Sequence, residues 1–117
     1  MSIANAYELD ILKKLKEEEP WIQLHTGDPG ENCTNNVAAT TARKKVQFEE
    51  PSNGAMGSTN QQLWTGMTAT ENITHVSLWK EAVAGPARWY GPLEEAVEVI
   101  EGENFEFQPG DVIVTLD

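Results

Sequence analysis

Two histidines, one cysteine and a surplus of carboxylates are the side chains of this 117-residue chain with the clearest capacity for chemistry. His25 lies in Trp21-Ile-Gln-Leu-His-Thr-Gly-Asp-Pro-Gly30, and His75 lies in Thr74-His-Val-Ser-Leu-Trp79. If the two segments were neighbours, the imidazoles with Asp28 or Glu31 would form a two-histidine metal site. A histidine hydrogen-bonded beside the Asp28-Pro29-Gly30 turn is the commoner use of such a residue. The loop Asp28 to Asn32 lacks the ligand spacing of an EF-hand. Cys33 becomes a nucleophile for His25 only if the turn folds back, and no third orienting group is evident. There is no G-x-S-x-G elbow and no phosphate-binding glycine loop. The acids Glu94, Glu95, Glu98, Glu101, Glu103 and Glu106 do not read as a glycosidase pair facing across a cleft. They fall at exposed positions, with Val97, Val99, Phe105 and Phe107 pointing inward, so a solvated face is expected. The chain therefore reads as a non-enzyme with no metal and no cofactor. Two sequons, at Asn32 and Asn72, are chance matches without a secretion signal.

Trp21, Trp64, Trp79 and Trp89 offer another kind of chemistry, the stacking of aromatic rings on sugars. All four lie in expected strands, where core or subunit-interface packing accounts for them better.

The elements that must position these residues are mostly strands. Alternation puts Trp21, Gln23 and His25 on one face of the first segment, with Ile22 and Leu24 on the other. In the second, Thr74, Val76 and Leu78 oppose His75, Ser77 and Trp79. Further strands are expected at 42–48, 61–65, 74–80, 88–90, 96–100, 104–107 and 112–116. Turn signals separate them: Asp28-Pro-Gly, Pro51-Ser-Asn-Gly, Gly85-Pro86, Gly91-Pro92, Glu101-Gly102 and Pro109-Gly110. The stretch 50–60 is rich in Gly, Ser and Asn and is expected to be a mobile surface loop. Before Pro20, residues 2–19 read as a helix capped by Ser2. Its stripe is Ala4, Tyr7, Ile11 and Leu15, with Leu12 beside it, and Pro20 ends it by restricting Glu19. The pattern predicts a mainly β chain: an antiparallel, jelly-roll-like β-sandwich over 20–117 with one N-terminal helix over 1–19.

Bulk composition bounds the function. A chain of this length is one domain and buries roughly 65% of its unfolded surface. No apolar run approaches the roughly 20 residues of a membrane span, and the N-terminus lacks the pattern of a secretory signal. A single cysteine excludes an internal disulfide. The net charge is −11, and residues 93–117 hold eight acids and no Lys or Arg. Nucleic-acid binding needs clustered basic charge, so it is not expected. The acidic surface serves solubility, or else faces a basic partner or a cation.

Four pieces, in order, carry a resemblance to a known family: W-I-Q-L-H-T-G-D-P-G at 21–30 with Thr34-Asn35-Asn36; Thr41-Ala42-Arg43 leading into Val46-Gln-Phe48; T-H-V-S-L-W at 74–79; and Gly91-Pro92-Leu93 with Gly102 and the closing Pro109-Gly110-Asp111. With these the chain resembles small bacteriophage virion proteins of the tail-fibre type. It departs from their pattern at Thr41, where the family usually has an aromatic, at Lys80, where it usually has Asp, and at Cys33. The resemblance implies a structural β-sandwich protein without a catalytic motif. It also implies localisation to the virion after synthesis in a bacterial host cytoplasm, and partners among other phage structural proteins.

Assembly is thus the expected function: a symmetric homo-oligomer, with a trimer as the working number, and Tyr7, Ile11, Leu15, Trp64 and Trp89 as interface residues. A capsid decoration protein is the alternative within the same class. A carbohydrate-binding host-recognition module is the alternative outside it. The helix is expected to contact something beyond its own sandwich, because its apolar stripe is narrow and such a helix alone is marginal in water. Deleting residues 1–19 is expected to leave a folded β domain that no longer assembles, which circular dichroism and particle incorporation would show.

Overall fold

The computed structural model describes residues 5–116. The Ser2 cap, Ala4 and the acid Asp117 lie outside the described residues. One helix, α1 (Asn5–Glu18), precedes eight strands: β1 (Trp21–His25), β2 (Lys44–Lys45), β3 (Ala55–Gly57), β4 (Gln62–Trp64), β5 (Glu71–Trp79), β6 (Ala87–Val99), β7 (Phe105–Phe107) and β8 (Ile113–Thr115). Every strand pair is antiparallel. A four-stranded sheet runs in the order β2-β1-β5-β6, and two ribbons, β3-β8 and β4-β7, make the rest. Sheet and ribbons share one core, so the arrangement is sandwich-like, as the alternation implies, with its second layer split into two ribbons.

The centre is the β1-β5 ladder. Ile22 faces Leu78 and Leu24 faces Val76 on the core side, while Trp21 faces Trp79, Gln23 faces Ser77 and His25 faces His75 on the other. Both sides are covered. The apolar side meets Val46, Phe48, Met56, Val99, Val112 and Val114. Trp64 anchors the other end of the core, with Phe105 stacked at 5.8 Å and Phe107 edge-on at 5.8 Å. Its indole N–H donates to the Ala42 carbonyl at 2.7 Å.

Three expectations need correction. The segment 50–60 contains β3, with Met56 buried in the core. Asn53 and Gly54, at φ of 54° and 75°, close a two-residue hairpin between Ser52 and Ala55, the turn that Asn-Gly favours. Gly91-Pro92 is not a turn between two strands. It lies within the single strand β6, whose register against β5 steps so that Ile73 faces Val97 while His75 faces Pro92. Residues 93–96 of β6 stand against the single Thr74 of β5 and form a bulge, and an edge strand beside a bulge is where Pro is tolerated in a ladder. The expected strand 42–48 keeps only β2 and an isolated bridge at Phe48.

The helix is rotated relative to its expected stripe. Leu12 and Leu15 enter the common core, with Glu8 buried on the same side, whereas Tyr7 is 63% exposed. Positions 8, 12 and 15 make the inward face, and Ile11 flanks it. A bidentate pair fastens the helix end to β6: Arg88 Nε donates to Glu18 Oε1 at 2.9 Å and Nη2 to Oε2 at 3.1 Å. The chain leaves the helix through Glu19 in the left-handed region, φ 50°, rather than the extended one usual before Pro. The Glu19 carboxylate is held there by Gln47 Nε2 at 3.1 Å and Lys45 Nζ at 3.4 Å.

The 1–19 deletion therefore also removes two core leucines. Leu12→Ala should lower stability by about 2–5 kcal/mol, measured by urea unfolding, while Tyr7→Ala should stay within about 0.5 kcal/mol.

Candidate functional site

The structure brings His25 and His75 opposite each other on β1 and β5, but gives each its own partner. A carbonyl only accepts, so His25 Nδ1 carries the proton and donates to the Asn35 carbonyl at 2.8 Å. Its Nε2 then accepts from Ser77 Oγ at 2.7 Å. Ser77 Oγ in turn accepts from the Trp79 indole N–H at 2.8 Å. The Asn35 carbonyl reaches the ring because the loop after β1 folds back. Asp28 Oδ1 accepts from the Gly30 amide, Gly30 takes φ 76°, and the Thr26 amide donates to the Asn36 carbonyl.

Hydroxyl, imidazole and acceptor in this order resemble a hydrolase triad. The resemblance ends at access. His25 and Ser77 are both 0% exposed, and the Ser77 hydroxyl also accepts the Trp79 indole N–H. The array satisfies buried polar groups and turns no nucleophile toward solvent. His75 Nδ1 pairs with its neighbour Thr74 Oγ1 at 2.8 Å. Cys33 is buried, its thiol faces the Trp89 carbonyl at 3.9 Å rather than His25, and burial pushes its pKa up, which disfavours the thiolate. Among the described residues no three His, Cys, Asp or Glu side chains gather as a metal site. Glu94, Glu95, Glu98, Glu101, Glu103 and Glu106 are all exposed.

Of the five expected interface residues, the structure unites three. Ile11 and Leu15 from α1, Trp89 from β6 and Leu116 beyond β8 line a mostly apolar groove of about 230 Å³, with Lys14, Glu18 and Arg88 around it. Tyr7 stands in solvent one turn earlier on the helix. Trp64 is 1% exposed and sits in the core away from the groove. Leu15 is mostly buried and contributes an edge. Trp89 is seated by Gly91: a Cβ there would lie 2.6 Å from the indole ring. Its N–H donates to the Thr115 carbonyl at 3.2 Å, tying β6 to the end of β8. Sequence reading did not find Leu116 as a groove residue. It is a strand-end leucine with no signal of its own.

A family model described as Podophage GP4 fiber I protein gp80 matches residues 15–115. The chain belongs to this family. The gp80 match spans β1 to β8, the whole β region and the last turn of α1. The tail-fibre resemblance read from the four motifs is thereby met, and the chain is a phage fibre structural protein. No curated protein matches it. In this gp80-family chain the first motif supplies β1 and the loop that covers His25, and the third supplies β5 with Ser77 and Trp79. Two of the family-like motifs thus build the central ladder and its buried polar side.

Burial pulls the His25 pKa below its ordinary 6.5, with a smaller push from His75. The fold favours the neutral ring, so its stabilisation is complete above pH 6.5 and is lost as pH falls from there through the lowered folded value. Ring NMR should show the neutral Nδ1–H tautomer persisting below pH 6.5. Ser77→Ala, which orphans both His25 Nε2 and the Trp79 N–H, should cost about 2–5 kcal/mol. Gly91→Ala should displace Trp89 and shift its fluorescence to the red, with the core tryptophan Trp64 unaffected.

Proposed function

We propose that this chain is a non-enzymatic virion component that works by symmetric self-assembly, and that the α1-β6 groove with Tyr7 and Ile11 is its subunit contact. The family match carries the virion placement. The groove supports the choice of surface: it is apolar, and its rim is charge-balanced by the Glu18–Arg88 pair and Lys14, so a second copy of this acidic chain is not repelled there. Three copies is the assembly put forward, a closed symmetric oligomer being the common solution for such parts. Its other partners are neighbouring fibre, tail or shell proteins of the particle.

Neither alternative gains a specific observation. A sugar-stacking module needs its aromatics exposed together, and Trp64 and Trp79 are inside the protomer. A shell-decorating role would place hundreds of copies on the head.

Mass spectrometry and imaging of purified particles should find the chain in the virion in a small fixed number of copies on a fibre. Absence from particles overturns the reading, and several hundred copies on the head selects decoration instead. Ile11→Glu with Tyr7→Ser should leave circular dichroism unchanged and weaken self-association at least tenfold in sedimentation, with loss of incorporation.

A further inference from the structure

A second groove lies on the acidic part of the molecule, away from the α1 contact. Leu93 in the bulge of β6 and Val97 just beyond it line this groove with Phe105 of β7 and Ile113 of β8, around a volume of about 320 Å³. Ile113 is 46% exposed, between the buried Val112 and Val114. Glu94, Glu95, Glu106 and Asp111 stand on its rim. The three bounding strands share a property. Each has one ladder partner only: β6 pairs with β5, β7 with β4 and β8 with β3. Three strands with a single ladder partner each thus border one trough, part apolar and part acidic.

We infer that this trough receives an extended, basic polypeptide segment of another virion protein, added as a strand against the β6 edge, with apolar side chains entering between Leu93 and Ile113. An exposed strand edge templates such pairing, backbone hydrogen bonds giving affinity and side-chain pockets giving selection. Charge decides which strand. None of the ion pairs among the described residues uses a rim acid, and residues 89–117 contain no Lys or Arg to neutralise them. A Lys- or Arg-bearing segment gains from every rim carboxylate it meets.

A second copy of this chain does not fit. Its net charge is −11, and four of its eight bases are already engaged: Lys16 with Glu50, Lys45 with Glu19, Arg88 with Glu18, and Arg43 with the Glu81 and Ala84 carbonyls. The rim that attracts a basic strand also keeps an acidic copy off the same edge. A helix fits poorly as well, since its backbone groups are already paired and leave the edge unsatisfied. The inference rests on the virion reading for its choice of partner, while the groove and its charge stand independently.

The test is an amide NMR titration of the full chain with an eight-residue peptide alternating Val and Lys. Alternating Ser/Lys and Val/Glu peptides serve as controls. The expected result is shifts confined to residues 93–97, 105–107 and 113, weaker binding at raised salt, and at least tenfold weaker binding in Ile113→Ser and in Glu94→Lys/Glu106→Lys. These positions are exposed, and an unchanged amide spectrum elsewhere confirms folding. Equal binding of the Ser/Lys peptide, shifts spread over the acidic surface, or no binding at millimolar peptide overturns the inference. A concentration-dependent dimer abolished by Ile113→Ser also overturns it, by making a second copy the occupant. Particle incorporation is scored separately: a chain found in virions but with an inert trough refutes the trough and leaves the proposed function standing.

Discussion

The pairing of β1 with β5 is the constraint on which the rest of the molecule depends. Its five-residue register places Ile22, Leu24, Val76 and Leu78 on one side and Gln23, His25, Ser77 and Trp79 on the other. A half-buried sheet would leave the second set in water. Here both sides are buried, so polar groups had to be matched inside the protein. An unpaired buried donor or acceptor costs about 1–3 kcal/mol. The loop from Thr26 to Arg43 supplies the Asn35 carbonyl to His25 and the Thr41 carbonyl to Gln23. Arg43 lies over the Trp79 ring at 3.9 Å and donates to two carbonyls of the β5-β6 connection. Burial lowers its pKa, and the ring face and carbonyls replace part of the lost hydration. The turn chemistry of the first motif is thereby a requirement of the ladder, because it aims a loop back over a polar sheet face.

The other flank of the ladder shows what an edge strand does with its freedom. Along β5, β6 keeps strict register beside Val76 to Leu78, where the core demands it. Beyond His75 the demand relaxes: Pro92 still pairs with His75, residues 93–96 stand against the single Thr74, and pairing resumes at Val97 opposite Ile73. Upstream, Gly91 allows Trp89 to fold flat against the strand and reach the β8 carbonyl. One strand thus forms a wall of both grooves, a charge-balanced one against α1 and an acid-rimmed one against β7 and β8. The two surfaces therefore differ in the charge they present.

The composition and alternation of the chain determined a good part of this by themselves. Apolar residues at every second position of β1 and β5 fixed which side chains share a face, since successive side chains of a strand point oppositely. Gly30 at positive φ, the helix stop at Pro20 and the exposed acids after Leu93 follow from local chemistry in the same way. The four motifs, in order, were enough to suggest the family. The turn at Asn53-Gly54 was legible too, but the polar composition of 50–60 concealed a hairpin and a strand whose one core residue is Met56.

What only the tertiary structure decided is what lies across each face. Helical spacing permits Tyr7, Ile11 and Leu15 as a stripe as readily as Glu8, Leu12 and Leu15. The Glu18–Arg88 pair and the core beneath the helix selected the second, leaving Tyr7 in water. A tryptophan in a strand has no preference for core or groove until its neighbours are known: Phe105 and Phe107 buried Trp64, while Gly91 and Leu116 left Trp89 at an edge. Gly91-Pro92 signals a turn locally, yet it stays in the ladder opposite Val76 and His75, because β5 runs long enough to pair with β6 there and again beyond the bulge at 93–96. Hydrogen bonds between distant segments, such as Ser77 to His25 and Trp89 to Thr115, are invisible to periodicity. They depend on separation in space, which chain order does not encode.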